Sequence, residues 1–392
     1  MFDYIIKQAD RLGASDIHIE NQRDSIRIRM RVDGALHPVA MLERDRYRVI
    51  MGELASRAGI STAATASQSG HMQMDVTTDE GTHLLNLRVE TVPTMYGQDA
   101  VLRLFNFDES LLNLDLLGIP EKQRQEIDEV VSHPRGLVLV VGPTGSGKST
   151  TLYSMLNALN TSDRKLITLE DPIEYGLTGI SQIPINTTEG QSFADSLRSV
   201  LRLDPDVVMV GEIRDTDTAR TAIQASITGH LVLSTFHANS TATAFSRMID
   251  MIGVNPIFSS AVRLIIAQRL VRRLVDTTKE EYEPDDATRS YVRRVLADVP
   301  GDVEQPNLDD FKLWRPKPSP DAPFGYKGRM VIMEQLIVNE EIQKFIRGDV
   351  ADAHPETIEK TARQQGMLTL EQVGVLAALR GETTLEEVGR VI

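Results

Sequence analysis

The 392-residue sequence contains no cysteine, one tryptophan and few aromatic residues overall, about 5%. Without cysteine there are no disulfides and no thiolate metal sites, which fits a reducing cytoplasm. No apolar run approaches the roughly 20 residues that a membrane-spanning helix needs. The start, MFDYIIKQAD, lacks the basic region and long apolar core of a secretory signal. Basic excess is missing too: 56 acidic against 42 basic side chains leave a net charge of −14. That balance argues against a general nucleic-acid-binding surface. A chain of this length holds two or three domains.

The first hundred residues read as a small mixed module. Asp16–Glu20 and Ser25–Val32 alternate apolar and polar side chains, the period of half-buried strands, around a polar Asn21–Asp24 loop. In the second strand Arg27, Arg29 and Arg31 share what reads as a solvated face. A helix is expected over Asp45–Ala58. A strand pair is expected at His71–Val76 and Thr82–Val92, and a further strand at Ala100–Phe105. Residues near Asp108–Leu117 read as a joint, followed by a helix over Glu121–Ser132.

From Gly136 onward, short apolar strands alternate with helical stretches: Leu137–Val141, Lys165–Leu169, Val207–Val210 and Leu231–Thr235. Strands of this kind belong to a sheet covered on both faces. Thr277–Pro323 is rich in Asp, Glu and Pro and reads as an extended or partly mobile connection. Lys327–Ile392 reads as mostly helical, with breaks near Gly348, Gly366 and Gly381.

Gly142–Ser149, GPTGSGKS, has the phosphate-loop pattern, with a strand before it and a helical run after it. Its glycines let backbone N–H groups turn toward phosphate, and the helix N-terminus adds a positive dipole end. Lys148 supplies a cation for the β- and γ-phosphates, and the Ser149 hydroxyl is a ligand for Mg²⁺. The nucleotide-binding set is therefore Gly142, Pro143, Thr144, Gly145, Ser146, Gly147, Lys148, Ser149 and Thr150. The apolar strand Val207–Val210 runs into Gly211-Glu212, where a carboxylate can hold Mg²⁺ or polarise water. Ile167–Tyr175, ITLEDPIEY, carries Glu170 and Asp171 at another strand's carboxyl end, where ligands of open α/β sheets bind.

Together, SDIHIE, RVDG, GPTGSGKSTTLY, ITLEDPIEY, LRLDPDVVMVGEIRD, TGHLVLSTFHANS and AQRLVRRL resemble the secretion ATPase superfamily. The likeness is to its type II secretion and type IV pilus assembly members, and the motifs run in order across most of residues 15–275. The resemblance implies an α/β fold: a RecA-like P-loop ATPase core, a smaller PAS-like α+β N-terminal domain and a helical C-terminal region. It implies boundaries at 1–108, 109–335 (with the acidic connection at 277–323) and 336–392. It makes Glu170 and Glu212 the acidic catalytic pair and His230 and His237 the histidines of TGHLVLSTFHANS. It also places Arg88, Arg103, Arg198 and Arg202 around the γ-phosphate.

The activity implied is Mg²⁺-dependent ATP hydrolysis by a hexamer. Such a hexamer would be cytoplasmic, docked peripherally on an inner-membrane platform protein, and would power pilus or pseudopilus assembly without binding nucleic acid. A pilus retraction motor is the neighbouring reading and a nucleic-acid translocase a more distant one. Many assembly ATPases carry a four-cysteine zinc site after AQRLVRRL. Here the chain continues VDTTKEEYEPDD, so no zinc is expected.

Overall fold

The computed structural model describes residues 1–78, 81–105, 112–301, 303–350 and 352–392. Packing divides the chain into two compact units, Met1–Asp108 and Glu109–Ile392. The first stretch of the expected joint, 108–111, lies outside the described residues.

The first unit contains α1 (Phe2–Arg11), β1 (Ala14–Asn21), β2 (Ser25–Val32), β3 (Ala35–Glu43), α2 (Tyr47–Ala58), β4 (Gln68–Thr78), β5 (Gly81–Thr94) and β6 (Gly97–Phe105). The strands form one antiparallel sheet in the order β3-β2-β1-β6-β5-β4. Sequence reading missed α1, although Phe2, Ile5, Ile6 and Ala9 recur at helical spacing and are all buried. These residues and Ile50 and Leu54 of α2 belong to the unit's core with Ile17, Ile19, Ile28, Leu87 and Leu102. The arginine face of β2 is only part-solvated. Arg27 and Arg29 pair with Glu20, and Arg31 lies 3.5 Å from Asp16.

The second unit begins with α3 (Glu121–Ser132), β7 (Gly136–Val141), α4 (Lys148–Leu159), β8 (Leu166–Glu170) and β9 (Ser181–Pro184). It continues through α5 (Phe193–Val200), β10 (Val207–Val210), α6 (Thr216–Ile227), β11 (Leu231–Phe236), α7 (Thr241–Ile252) and β12 (Val262–Leu274). The sheet order is β15-β12-β7-β11-β10-β8-β9, where β15 (Tyr326–Ile337) runs antiparallel to β12 and the other neighbours are parallel. Alternate residues of β7 feed opposite cores. Leu137, Leu139 and Val141 join the cluster that includes α5, α6 and α7, while Val138 and Val140 join the one under α3 and α4. That two-sided burial explains the unbroken apolar strands.

Two expectations fail here. Thr277–Pro323 is not simply an extended connection. It holds β13 (Glu280–Tyr282), α8 (Asp286–Leu296) and β14 (Leu313–Arg315), with Val292, Leu296, Phe311 and Leu313 buried against Val375 and Leu376. The start of the supposedly helical tail is the strand β15, whose Met330–Leu336 are buried. Four helices follow: α9 (Glu340–Arg347), α10 (Pro355–Gln364), α11 (Leu370–Leu379) and α12 (Leu385–Val391). Ile342, Phe345, Ile358, Ala362 and Val373 of these helices enter the main core of the sheet.

Glu387 fastens α12. Its side chain is 2% exposed and accepts from Arg272 Nη2 at 2.6 Å and from Arg390 Nη2 at 2.8 Å. Burial alone pushes this carboxyl up, but the hydrogen bonds from Arg272 and Arg390 outweigh it and hold it at about 2. A depressed carboxylate stabilises the fold above the ordinary carboxylate range and ceases to do so as pH falls toward its folded value. Glu387→Gln should therefore lower the unfolding free energy from urea titration near neutral pH by on the order of 2–3 kcal/mol. The gap from wild type should close between about pH 5 and pH 2.

Candidate active site

The carboxyl ends of β7, β8, β10 and β11 open into one cavity of about 290 Å³. Its lining includes Lys148, Ser149, Tyr153, Glu170, Glu212 and His237. In the phosphate loop Gly142, Gly145 and Gly147 have φ of +150°, +80° and +86°, a region that favours glycine. Lys148 and Ser149 then start α4, whose first N–H groups face the bend. The Lys148 ammonium donates to the carbonyls of Gly142 at 3.0 Å and Pro143 at 2.9 Å. Burial pushes its pKa down, while Glu212 pulls it upward. Of the rest of the predicted nucleotide set, Thr144 lines the cavity, and the Thr150 hydroxyl contacts that of Tyr175.

The two glutamates sit in different surroundings. Glu170, at the last position of β8, is 4% exposed. It accepts from the Tyr153 hydroxyl, from Thr168 Oγ1 at 2.6 Å and from Gln182 Nε2 at 3.1 Å, all neutral donors. Glu212 follows β10 and lies between two basic groups, Arg214 and His237 Nε2. Asp171 also lines the cavity and accepts from the Thr187 hydroxyl.

Other predicted residues lie elsewhere. His230 precedes β11 and its Nδ1 contacts the Ala225 carbonyl at 3.0 Å, whereas His237 follows the same strand. Opposite ends of a six-residue strand put the two roughly 20 Å apart, so His230 is not at this cavity. Arg198 pairs with Asp195 at 2.7 Å on α5, and Arg202 falls in the 3₁₀ turn Leu201–Leu203 beyond that helix. Neither lines the cavity. Arg88 and Arg103 belong to the first unit, directly opposite each other across β5 and β6. There Arg88 pairs with Glu90 at 2.9 Å and Arg103 with Asp16 at 3.1 Å.

Sequence reading gave no role to Tyr153, Gln182, Arg214, Gln268 or Arg269. Arg214 stands inside GEIRD, and Gln268 and Arg269 inside AQRLVRRL, so their motifs were visible while their partners were not.

The structure holds an arrangement suited to an anionic phosphate chain: a phosphate loop, one lysine and two carboxylates at adjacent strand ends. Ser149 Oγ and Glu212 offer hard oxygen donors beside it, a set that fits Mg²⁺ completed by substrate oxygens and water.

Comparison with known proteins gives the context. The sequence model of the type II/IV secretion system protein family matches residues 1–390. Type II secretion system protein E of Xanthomonas campestris is 40% identical over 394 residues, covering 100% of this chain and 66% of that protein. Type IV pilus assembly ATPase PilB of Pseudomonas aeruginosa is 39% identical over 382 residues, covering 97% of this chain and 64% of its own length. The chain thus spans slightly less than two thirds of both relatives. Among solved structures, the pilus retraction motor PilT with bound ADP superposes with a TM-score of 0.58 at 26% identity, covering 100% of this chain and 96% of that one. The Legionella pneumophila ATPase DotB, at 21% identity, shares the fold with a TM-score of 0.68, covering 99% and 94%. With its phosphate loop and strand-end carboxylates in a parallel-sheet core, the chain belongs to the type II/IV secretion system protein family, alongside secretion and pilus ATPases.

Proposed function

We propose that this chain is the ATP-hydrolysing subunit of a hexameric motor that drives pilus or pseudopilus assembly through an inner-membrane platform protein. The observation that carries the reading is the shared cavity of Lys148, Ser149, Glu170, Glu212 and His237. In it, Lys148 leaves the loop carbonyls for the β- and γ-phosphates. Ser149 and Glu212 hold Mg²⁺, which when bound with ATP offsets phosphate charge. Glu170, held by neutral donors, accepts from the attacking water, and His237 orients Glu212 and meets the γ-phosphate side.

Arg88, Arg103, Arg198 and Arg202 supply further positive charge from neighbouring subunits, whereas His230, at the far end of β11, has a structural part in its own subunit. The assembly reading leads because the relatives at 38–40% identity are named for secretion and pilus assembly, against 26% for the retraction motor. No helix among the described residues is long and apolar enough to cross a membrane. The net charge of −14 supports a protein partner over nucleic acid.

Lys148→Ala should weaken ATP binding at least tenfold in a fluorescence titration, the scale of a lost charge-assisted contact of about 1.5–3 kcal/mol. His230→Ala should bind ATP within about twofold of wild type, because it stands at the far strand end. Specific ATPase activity should rise steeply with protein concentration, with Glu212→Gln as the background. Undiminished activity at dilutions where light scattering finds only monomer would remove the ring.

A further inference from the structure

Tyr153 lies on α4, five residues after Lys148, and is 1% exposed. Its hydroxyl donates to Glu170 Oε2, while Glu170 Oε1 takes the bonds from Thr168 and Gln182. Tyr153 thus joins the helix that opens at the phosphates to the carboxylate at the end of β8. The ring is fixed as well. It stands edge-on to Tyr175 at 4.6 Å between centroids and 84° between planes, and Tyr175 closes the ITLEDPIEY segment that contains Glu170.

A buried carboxylate met only by neutral donors is a poor stability device, since an apolar pair of similar shape would avoid burying the charge. Phenylalanine would fill the same volume. The hydroxyl therefore calls for another explanation. Burial, reinforced by the adjacent Glu170, raises the phenol far above its ordinary value, so it stays a proton donor at working pH.

Resting on the ATPase reading, we propose that Tyr153 is a positioning residue. Its hydroxyl fixes the Glu170 carboxylate on the phosphate-loop helix, in register for the attacking water. Tyr153 does not touch the nucleotide in this role; it acts through Glu170. The Tyr153 proton remains on its oxygen throughout, and no bond is made or broken at the ring.

The test is a kinetic cycle of wild type, Tyr153→Phe, Glu170→Gln and the double variant. Single-turnover conditions with chain in excess keep residual rates measurable. Thermal melts and ATP titrations run alongside. Tyr153→Phe should lower the single-turnover rate constant about ten- to a hundredfold, with ATP affinity within about twofold. The double variant should turn over like Glu170→Gln alone, because the hydroxyl has no other catalytic partner. A Tyr153→Phe variant as fast as wild type would overturn the assignment. So would losses that multiply in the double variant, the mark of a merely structural side chain. An inactive wild type overturns the assignment and the ATPase reading together, whereas an active wild type beside an unimpaired Tyr153→Phe removes the assignment only.

Discussion

One buried amide, that of Gln268, ties the phosphate loop to the sheet. Its Nε2 donates to the Ser146 carbonyl at 2.7 Å, and its Oε1 accepts from Thr151 Oγ1 at 2.9 Å. The loop and the first turn of α4 are thereby pinned to β12. Backbone approach is so close that a Cβ on Gly142 would stand 2.8 Å from the Gln268 carbonyl, and one on Gly147 3.1 Å from Nε2. Glycine is needed there for space as well as for positive φ. Next along β12, the buried Arg269 donates to the carbonyls of Asn239 at 3.0 Å and Val391 at 2.9 Å. The loop after His237 and the end of α12 are thus held from the same strand as the phosphate loop.

With the loop fixed, parallel register does the rest. β8, β10 and β11 pair residue for residue, Leu169 beside Val210 and Val210 beside Ser234. The side chains just beyond them, Glu170, Glu212 and His237, consequently emerge at one edge. Their surroundings then separate two chemically identical carboxylates. Glu170 is enclosed by hydroxyls and an amide, Glu212 by basic groups. Divergent environments of this kind are how one site assigns different tasks to two acids. On the proposed function, Glu170 deals with water and Glu212 with the metal.

The parts of this arrangement readable from sequence are those written locally. The phosphate loop needs eight consecutive residues, and the core strands declare themselves as apolar runs between glycines and acids. The amide of Gln268 was illegible because its partners lie 122 and 117 residues away. Tyr153 carries no sequence signal of its own, and only the fold brings it to Glu170. His230 and His237 share a motif, yet a strand between them sends them to opposite ends. β15 reads as helix from sequence because a strand buried on both faces shows no alternation. The acidic stretch after Thr277 hid Val292, Leu296, Phe311 and Leu313, too sparse to show a period but enough for a small core.

The most direct measurement identifies nucleotide chemically. The chain is loaded with Mg·ATP, unbound nucleotide is stripped, and bound and released species are separated by chromatography over time. Hydrolysis in this cavity predicts release of ADP and phosphate by wild type, with up to about one intact ATP per chain retained by Glu170→Gln. Intact ATP returned by wild type, or equal ADP output from Glu170→Gln, would contradict it.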